Sequence, residues 1–219
     1  VDCQIALSRL HGQQPDPVAA LPCLTKGGTA FRLMQTCNLI DNEVPHTQGA
    51  AGIGIVEDKV IQHEAISALC PTSVNTIRVA TLLGDKKEGI VYAYIRIGNG
   101  KVMDNVDCGG MAARIDLESG KLLTVGADKA GNTYTKHPIT GTDIIVFTIP
   151  YWEEAKKMCL DAAQKVPQMR FVAWDVAITP NGPTFIEGNS FPSHAVPQFA
   201  AHYPDGIGIL PEFRKFIDV

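Results

Sequence analysis

No stretch of this chain approaches the roughly 18 consecutive apolar residues of a membrane span, and no segment repeats or narrows to a low-complexity tract. A membrane-spanning bundle and a solenoid are therefore not expected. No two cysteines form a Cys-x-x-Cys pair. Cys3, Cys23, Cys37, Cys70, Cys108 and Cys159 stand singly, which argues against a zinc site or a disulfide scaffold and for reduced, mostly buried thiols in a cytoplasmic protein. The opening residues carry no export signal. Basic charge is also lacking. With 19 Lys and Arg against 23 Asp and Glu the net charge is −4, so no basic field faces a nucleic acid or an anionic membrane, and small molecules are the expected partners.

What is present is ordinary for a folded protein. The 219 residues are 45% hydrophobic and 19% charged, enough for one substantial domain or two small lobes. The chain begins on Val1 and not Met, as a piece of a longer protein would. Residues 1 to about 52 show no clean period. Lys26, beside Gly27 and Gly28, is either a phosphate-reaching cation or a loop residue.

From Ile53 the pattern sharpens. A strand over Gly54–Val56 and a helix from Val60 to Leu69 frame Glu57 and Glu64, which are either ribose-binding acids or surface acids. Five β-type runs follow, Thr76–Leu83, Ile90–Ile97, Val102–Val106, Met111–Leu117 and Leu122–Val125, and their polar separators predict an antiparallel meander. Arg78, between Ile77 and Val79, needs an anion: a phosphate or an acid of the protein itself. Asn105 to Gly110 breaks the strand pattern, and its paired glycines mark either a bulge or a place where backbone approaches a ligand. Gly126 to Thr142 reads as a loop long enough to be a flap, with His137 unassigned in it. A helix opens at Pro150, buries Trp152, Ala155, Met158, Cys159, Ala162 and Val166, and stops at Pro167; a short one runs from Pro211 to Ile217.

The most informative stretch is Phe171 to Asn189, two apolar runs joined by Pro180-Asn181-Gly182. A three-residue loop with a bulge at Gly182 places Asp175 opposite Glu187, with Asn189 further along the same face. Val172, Trp174, Val176, Ile178 and Ile186 then form the core face. Facing carboxylates repel unless a proton or a cation sits between them, and oxygen ligands of this kind suit magnesium. A solvated face bearing unpaired acids is the alternative.

The run Ser73-Val74-Asn75-Thr76-Ile77-Arg78-Val79, the Asp104-Asn105 element with Gly109-Gly110, and the Asp175 to Asn189 hairpin together resemble the ATP-grasp superfamily, most closely its sugar-transfer-associated members. The resemblance implies an α+β fold of two lobes gripping ATP, with a small N-terminal lobe at 1–65 and a large lobe at 66–219 built on a mainly antiparallel sheet. It implies ligation of a carboxylate to an amine through an acyl phosphate, with sugar or cell-surface polymer metabolism as the setting. Asp175, Glu187 and Asn189 would hold Mg2+, Arg78 and Asn105 would face the reacting phosphate, and Gly109 and Gly110 would line it. Lys26, Glu57, Val60 and Glu64 would meet the nucleotide. A non-catalytic nucleotide-binding partner and a kinase-like phosphotransferase are the alternatives.

Overall fold

Alternation of apolar residues with a turn between them makes β4 (Ile77–Leu83) and β5 (Glu88–Ile97) an antiparallel pair, closed by the Gly84 N–H to Lys87 carbonyl bond. The computed structural model describes residues 60–219, together with the backbone of β1 (Thr25–Lys26), β2 (Thr29–Ala30) and β3 (Leu33–Met34). Onto the β4–β5 pair are added β6 (Met111–Arg114), β7 (Gly126–Ala127), β8 (Thr133–Tyr134), β9 (Phe171–Thr179) and β10 (Gly182–Asn189). The sheet order is β3-β10-β9-β4-β5-β6-β7-β8. The seven strands from β10 to β8 are antiparallel to their neighbours, and β3 lies parallel along the β10 edge. The run from β4 to β8 is an antiparallel meander in an α+β fold, but only β4, β5 and β6 are among the strands expected; β7 and β8 come from Gly126 to Thr142, which was expected to be a loop.

Two layers cover the sheet. On one face α2 (Trp152–Lys165; α1 is Glu64–Leu69) lays Trp152, Ala155, Cys159 and Ala162 against Val79, Ile95, Trp174 and Val176. These are the helix positions the sequence spacing picks out for burial. On the other face Phe213, Phe216 and Ile217, in and after α3 (Leu210–Arg214), cover Leu82, Tyr92, Tyr94 and Phe171. This second layer leaves part of its own sheet face to polar residues, and those form the candidate site. Among the described residues no helix is long and apolar enough to cross a membrane.

Three local expectations are corrected. Val102–Val106 is not a strand: β5 and β6 pair directly through Ile97 and Met111, so residues 98–110 are the connection between them, with Val102 83% exposed and a 3-10 turn at Val106–Cys108. Leu122–Val125 makes only an isolated bridge from Leu122 to Ile115. The helix proposed for Val60–Leu69 begins at Glu64, because His63 is extended and its Nδ1 accepts the Ala65 N–H at 3.1 Å, ending the helix there. Glu57 and the strand at Gly54–Val56 lie outside the described residues, as does nearly all of the proposed small lobe. Lys26 is described only as backbone in β1, paired with Thr29.

Candidate active site

Backbone register decides which side chains meet. Pairing of Thr179 with Gly182 makes the β9–β10 turn a two-residue loop, not the three-residue loop expected. That shift alone would put Asp175 and Glu187 on opposite faces. The displaced residue reappears as a bulge between Phe185 and Glu187, and Asp175 still pairs with Glu187. The bulge also exchanges two apolar side chains. Phe185 packs on Trp174 with ring centroids 5.2 Å apart, while Ile186, expected in the core, is 40% exposed.

Cross-strand pairing continues the row. Glu187 faces Asp175, Asp175 faces Arg78, Arg78 faces Tyr94, and Tyr94 faces Arg114, so one line across five strands carries these five side chains on a single face. Asp175 is fully buried. Arg78 donates from Nε to Asp175 Oδ1 and from Nη2 to Oδ2, both at 2.6 Å, and Arg96 Nη2 donates to Oδ2 at 2.8 Å. Arg78 Nη2 is 4.0 Å from Glu187 Oε1. Asn189, two residues beyond Glu187, donates from Nδ2 to Glu187 Oε1 at 3.3 Å.

These contacts set the charge states. Burial works against the Asp175 carboxylate, but the Arg96 and Arg78 guanidiniums outweigh it and hold its carboxyl below the usual range. Burial, then the Asp175 charge beside it, pushes the Glu187 carboxyl up. The Glu187 side chain is 28% exposed, against 1% for Asp175. Among the described residues no cluster of three or more His, Cys, Asp or Glu could hold a metal ion. The oxygen donors on offer are Glu187 and the Asn189 amide. They suit a hard cation that completes its shell with phosphate oxygens and water.

Arg96 was not singled out in the sequence, although it stands between Ile95 and Ile97 just as Arg78 stands between Ile77 and Val79. Its Nε and Nη2 donate to Thr76 Oγ1 at 2.8 and 2.6 Å. Thr76 in turn directs both its hydroxyl and its backbone N–H to Asp104 Oδ2, at 2.5 and 2.8 Å. The Thr76 and Asp104 segments are thereby locked together around Arg96.

Other sequence candidates fall elsewhere. Asn105 caps the 3-10 turn, its Oδ1 accepting the Asp107 N–H at 3.1 Å, so part of its hydrogen-bonding capacity serves the loop. Gly109 has φ +94° and open space around the position of a Cβ; at Gly110 a Cβ would lie 2.4 Å from the Asp104 carbonyl oxygen. Gly110 therefore lets the loop fold back on Asp104, and Gly109 is the one open to a ligand. Val60 is half-buried, and Glu64 is exposed at the start of α1; no bond among the described residues joins Glu64 to the acidic row. The neighbouring His63 N–H donates to the Ile178 carbonyl at 2.7 Å, three residues along β9 from Asp175, about 10 Å away at the usual strand rise. His137 is structural: Nδ1 accepts the Thr140 N–H, so Nε2 carries the proton that it donates to the Gly98 carbonyl at 2.8 Å.

Comparison with curated proteins returned no match. The sequence does match the family model described as sugar-transfer associated ATP-grasp, over residues 32–213. That span includes the whole row from Glu187 to Arg114 as well as Arg96, Thr76 and Asp104. ATP-grasp proteins are ATP-dependent, ligase-type enzymes that generally use Mg2+. The chain belongs to the sugar-transfer-associated ATP-grasp family.

Proposed function

We propose that this protein is an ATP- and magnesium-dependent carboxylate–amine ligase working through an acyl phosphate, with a sugar or cell-surface polymer precursor among its substrates. The observation that carries this reading is the cross-strand row in which a partly exposed Glu187, a buried Asp175 and Arg78 sit side by side. Phosphoryl transfer asks a protein mainly for positioning and charge neutralisation, and this row offers both without a side-chain nucleophile.

Glu187 and Asn189 would hold magnesium, which when bound orients and neutralises the β and γ phosphates. Arg78 would face the charge that gathers on the transferred phosphoryl group, and Gly109, with open space at its Cβ position, would line it. The substrate carboxylate oxygen attacks the γ phosphorus and ADP leaves with the bridging oxygen. The amine nitrogen then attacks the acyl carbon, inorganic phosphate leaves, and the amine gives up a proton.

Incubation with magnesium, ATP, a panel of sugar acids and amino acids, and hydroxylamine tests this. ADP release that requires the carboxylate, with a hydroxamate trapped, is the expected result. ADP release to a hydroxyl acceptor with no hydroxamate would identify a kinase-like phosphotransferase. ATP binding without ADP release for any pair would identify a non-catalytic nucleotide-binding partner.

A further inference from the structure

We propose that Arg114 is the anion-binding residue of a separate subsite, remote from the acidic end of the row, and that it takes the carboxylate or phosphate group of a small molecule along the free edge of its guanidinium.

Among the described residues every other half-buried arginine holds an acid. Arg78 and Arg96 both bond Asp175, and Arg170 donates from Nη2 to Asp85 at 2.6 Å. Arg114, half-buried at the end of β6, has no carboxylate within ion-pair distance among the described residues. Its Nη1 donates to the His202 carbonyl at 3.2 Å, and its Cζ lies 4.3 Å from the centre of the Tyr203 ring. The ring takes one flat side of the guanidinium, and the carbonyl takes one end of it. Nε and Nη2 make no hydrogen bond among the described residues. They are the same two donors that Arg78 gives to Asp175, and they meet a carboxylate or a phosphate side by side.

The cation is in place before any ligand arrives. The Arg114 N–H donates to Thr124 Oγ1 at 3.0 Å, its carbonyl accepts the Leu123 N–H at 2.8 Å, and Tyr94 pairs with it from the other side. Tyr94 is fully buried and stands between Arg114 and Arg78, whose backbones are two strand spacings, about 10 Å, apart. An anion on Arg114 is thereby a different group from one that faces Arg78. The uncompensated charge also reaches His202, where it adds to the effect of burial in holding the imidazole pKa down to about 4. Pairing with an anion would cancel the share due to Arg114. Such a subsite does not depend on ATP; under the ligase reading it would receive a second acidic group of the acid substrate.

Gluconate, glucarate and gluconate 6-phosphate share one carbon chain and differ at its far end, which is a hydroxyl, a carboxylate or a phosphate. Calorimetric titration of wild type is expected to show glucarate or gluconate 6-phosphate binding at least about tenfold more tightly than gluconate, the range of one charge-assisted pair. Arg114→Gln should lose that preference. Arg114→Lys, which keeps the charge without the planar fork, should keep a smaller one. The wild-type preference should persist when a non-hydrolysable ATP analogue and magnesium are present in excess. In NMR titrations the His202 pKa should rise when the tighter probe binds wild type, which an Arg114 that only braces β6 against Tyr203 would not produce. No binding, equal affinity for the three probes, a preference undiminished in Arg114→Gln, an unmoved His202, or a preference abolished by the ATP analogue overturns the proposal. Should Arg114→Gln fail to fold, an undiminished preference in Arg114→Lys overturns it instead. A wild type that shows the preference but releases no ADP with any acid keeps the anion subsite and removes the ligase reading.

Discussion

Arg78 and Asp175 face each other on adjacent antiparallel strands, and Arg78 donates two hydrogen bonds of 2.6 Å to the Asp175 carboxylate on one face of the sheet. A buried ion pair of this kind is costly to break from one side only, because the survivor keeps its charge without its partner. Asp175→Ala should therefore lower unfolding stability by about 3–5 kcal/mol in urea titrations. The double replacement Arg78→Met with Asp175→Leu should recover the share of that loss due to Arg78, since Arg96 still loses its bond to Asp175, while ATP binding is abolished. A double variant as unstable as the single one would show that the pair contributes more than mutual neutralisation.

Asn75 shows that a motif can carry structure beside chemistry. It is fully buried; its Nδ2 donates to the Ile66 and Cys70 carbonyls and Gln62 Oε1, and its Oδ1 accepts the Gly98 N–H. Asn75→Ala should cost about 3 kcal/mol by leaving several of these groups unpaired, a fall in Tm of about 6–12 °C for a domain of this size. Residual folded protein should still bind ATP with affinity close to wild type. A selective loss of affinity with an unchanged Tm would make Asn75 a ligand contact.

The hairpin was legible in outcome and misread in detail. Sequence reasoning needs one irregular residue somewhere between Asp175 and Glu187, and placed it at the turn; the fold places it at Ile186. The adjacent apolar pair Phe185-Ile186 is the available signal, since a regular strand buries only one of two consecutive residues. Arg78 was legible because a charge inside an apolar strand demands a partner, and Arg96 could have been found by the same test. Asp175 and Arg78 are nearly a hundred residues apart, and no local pattern announces that each would satisfy the other. Val102–Val106 failed because alternation alone does not supply a neighbouring strand.

Gly109 and Gly110 should respond differently to a single methyl group. Gly110→Ala drives its Cβ toward the Asp104 carbonyl oxygen and should shift the Asp104–Thr76 bridge, weakening ATP binding as well as stability. Gly109→Ala meets no atom and should cost only about 1 kcal/mol for its positive φ. Melting curves and ATP titrations on both variants check this. Equal effects would remove the packing explanation.

His202 makes stability depend on pH. It is buried on the second face of the sheet, where Nε2 bonds the Ala112 carbonyl at 3.1 Å, and burial lowers its pKa to about 4, with Arg114 adding to the effect. Between pH 6.5 and about 4 the unfolded chain binds the proton that the folded one refuses, so stability is present above pH 6.5 and falls by up to about 3 kcal/mol as the pH drops through this window. Urea titrations at pH 7.5 and 4.5 should show that loss in wild type and a smaller one in His202→Gln. An equal loss in both would exclude His202 as the source.

The central claim is that Glu187, beside Asp175 on one sheet face, brings magnesium to the phosphates of ATP. Calorimetric titration of ATP into wild type and Glu187→Gln, each with and without magnesium, tests it most directly. The account predicts that magnesium tightens ATP binding to wild type and not to Glu187→Gln, with melting temperatures within a few degrees of each other. The same magnesium-dependent gain in both proteins would contradict it.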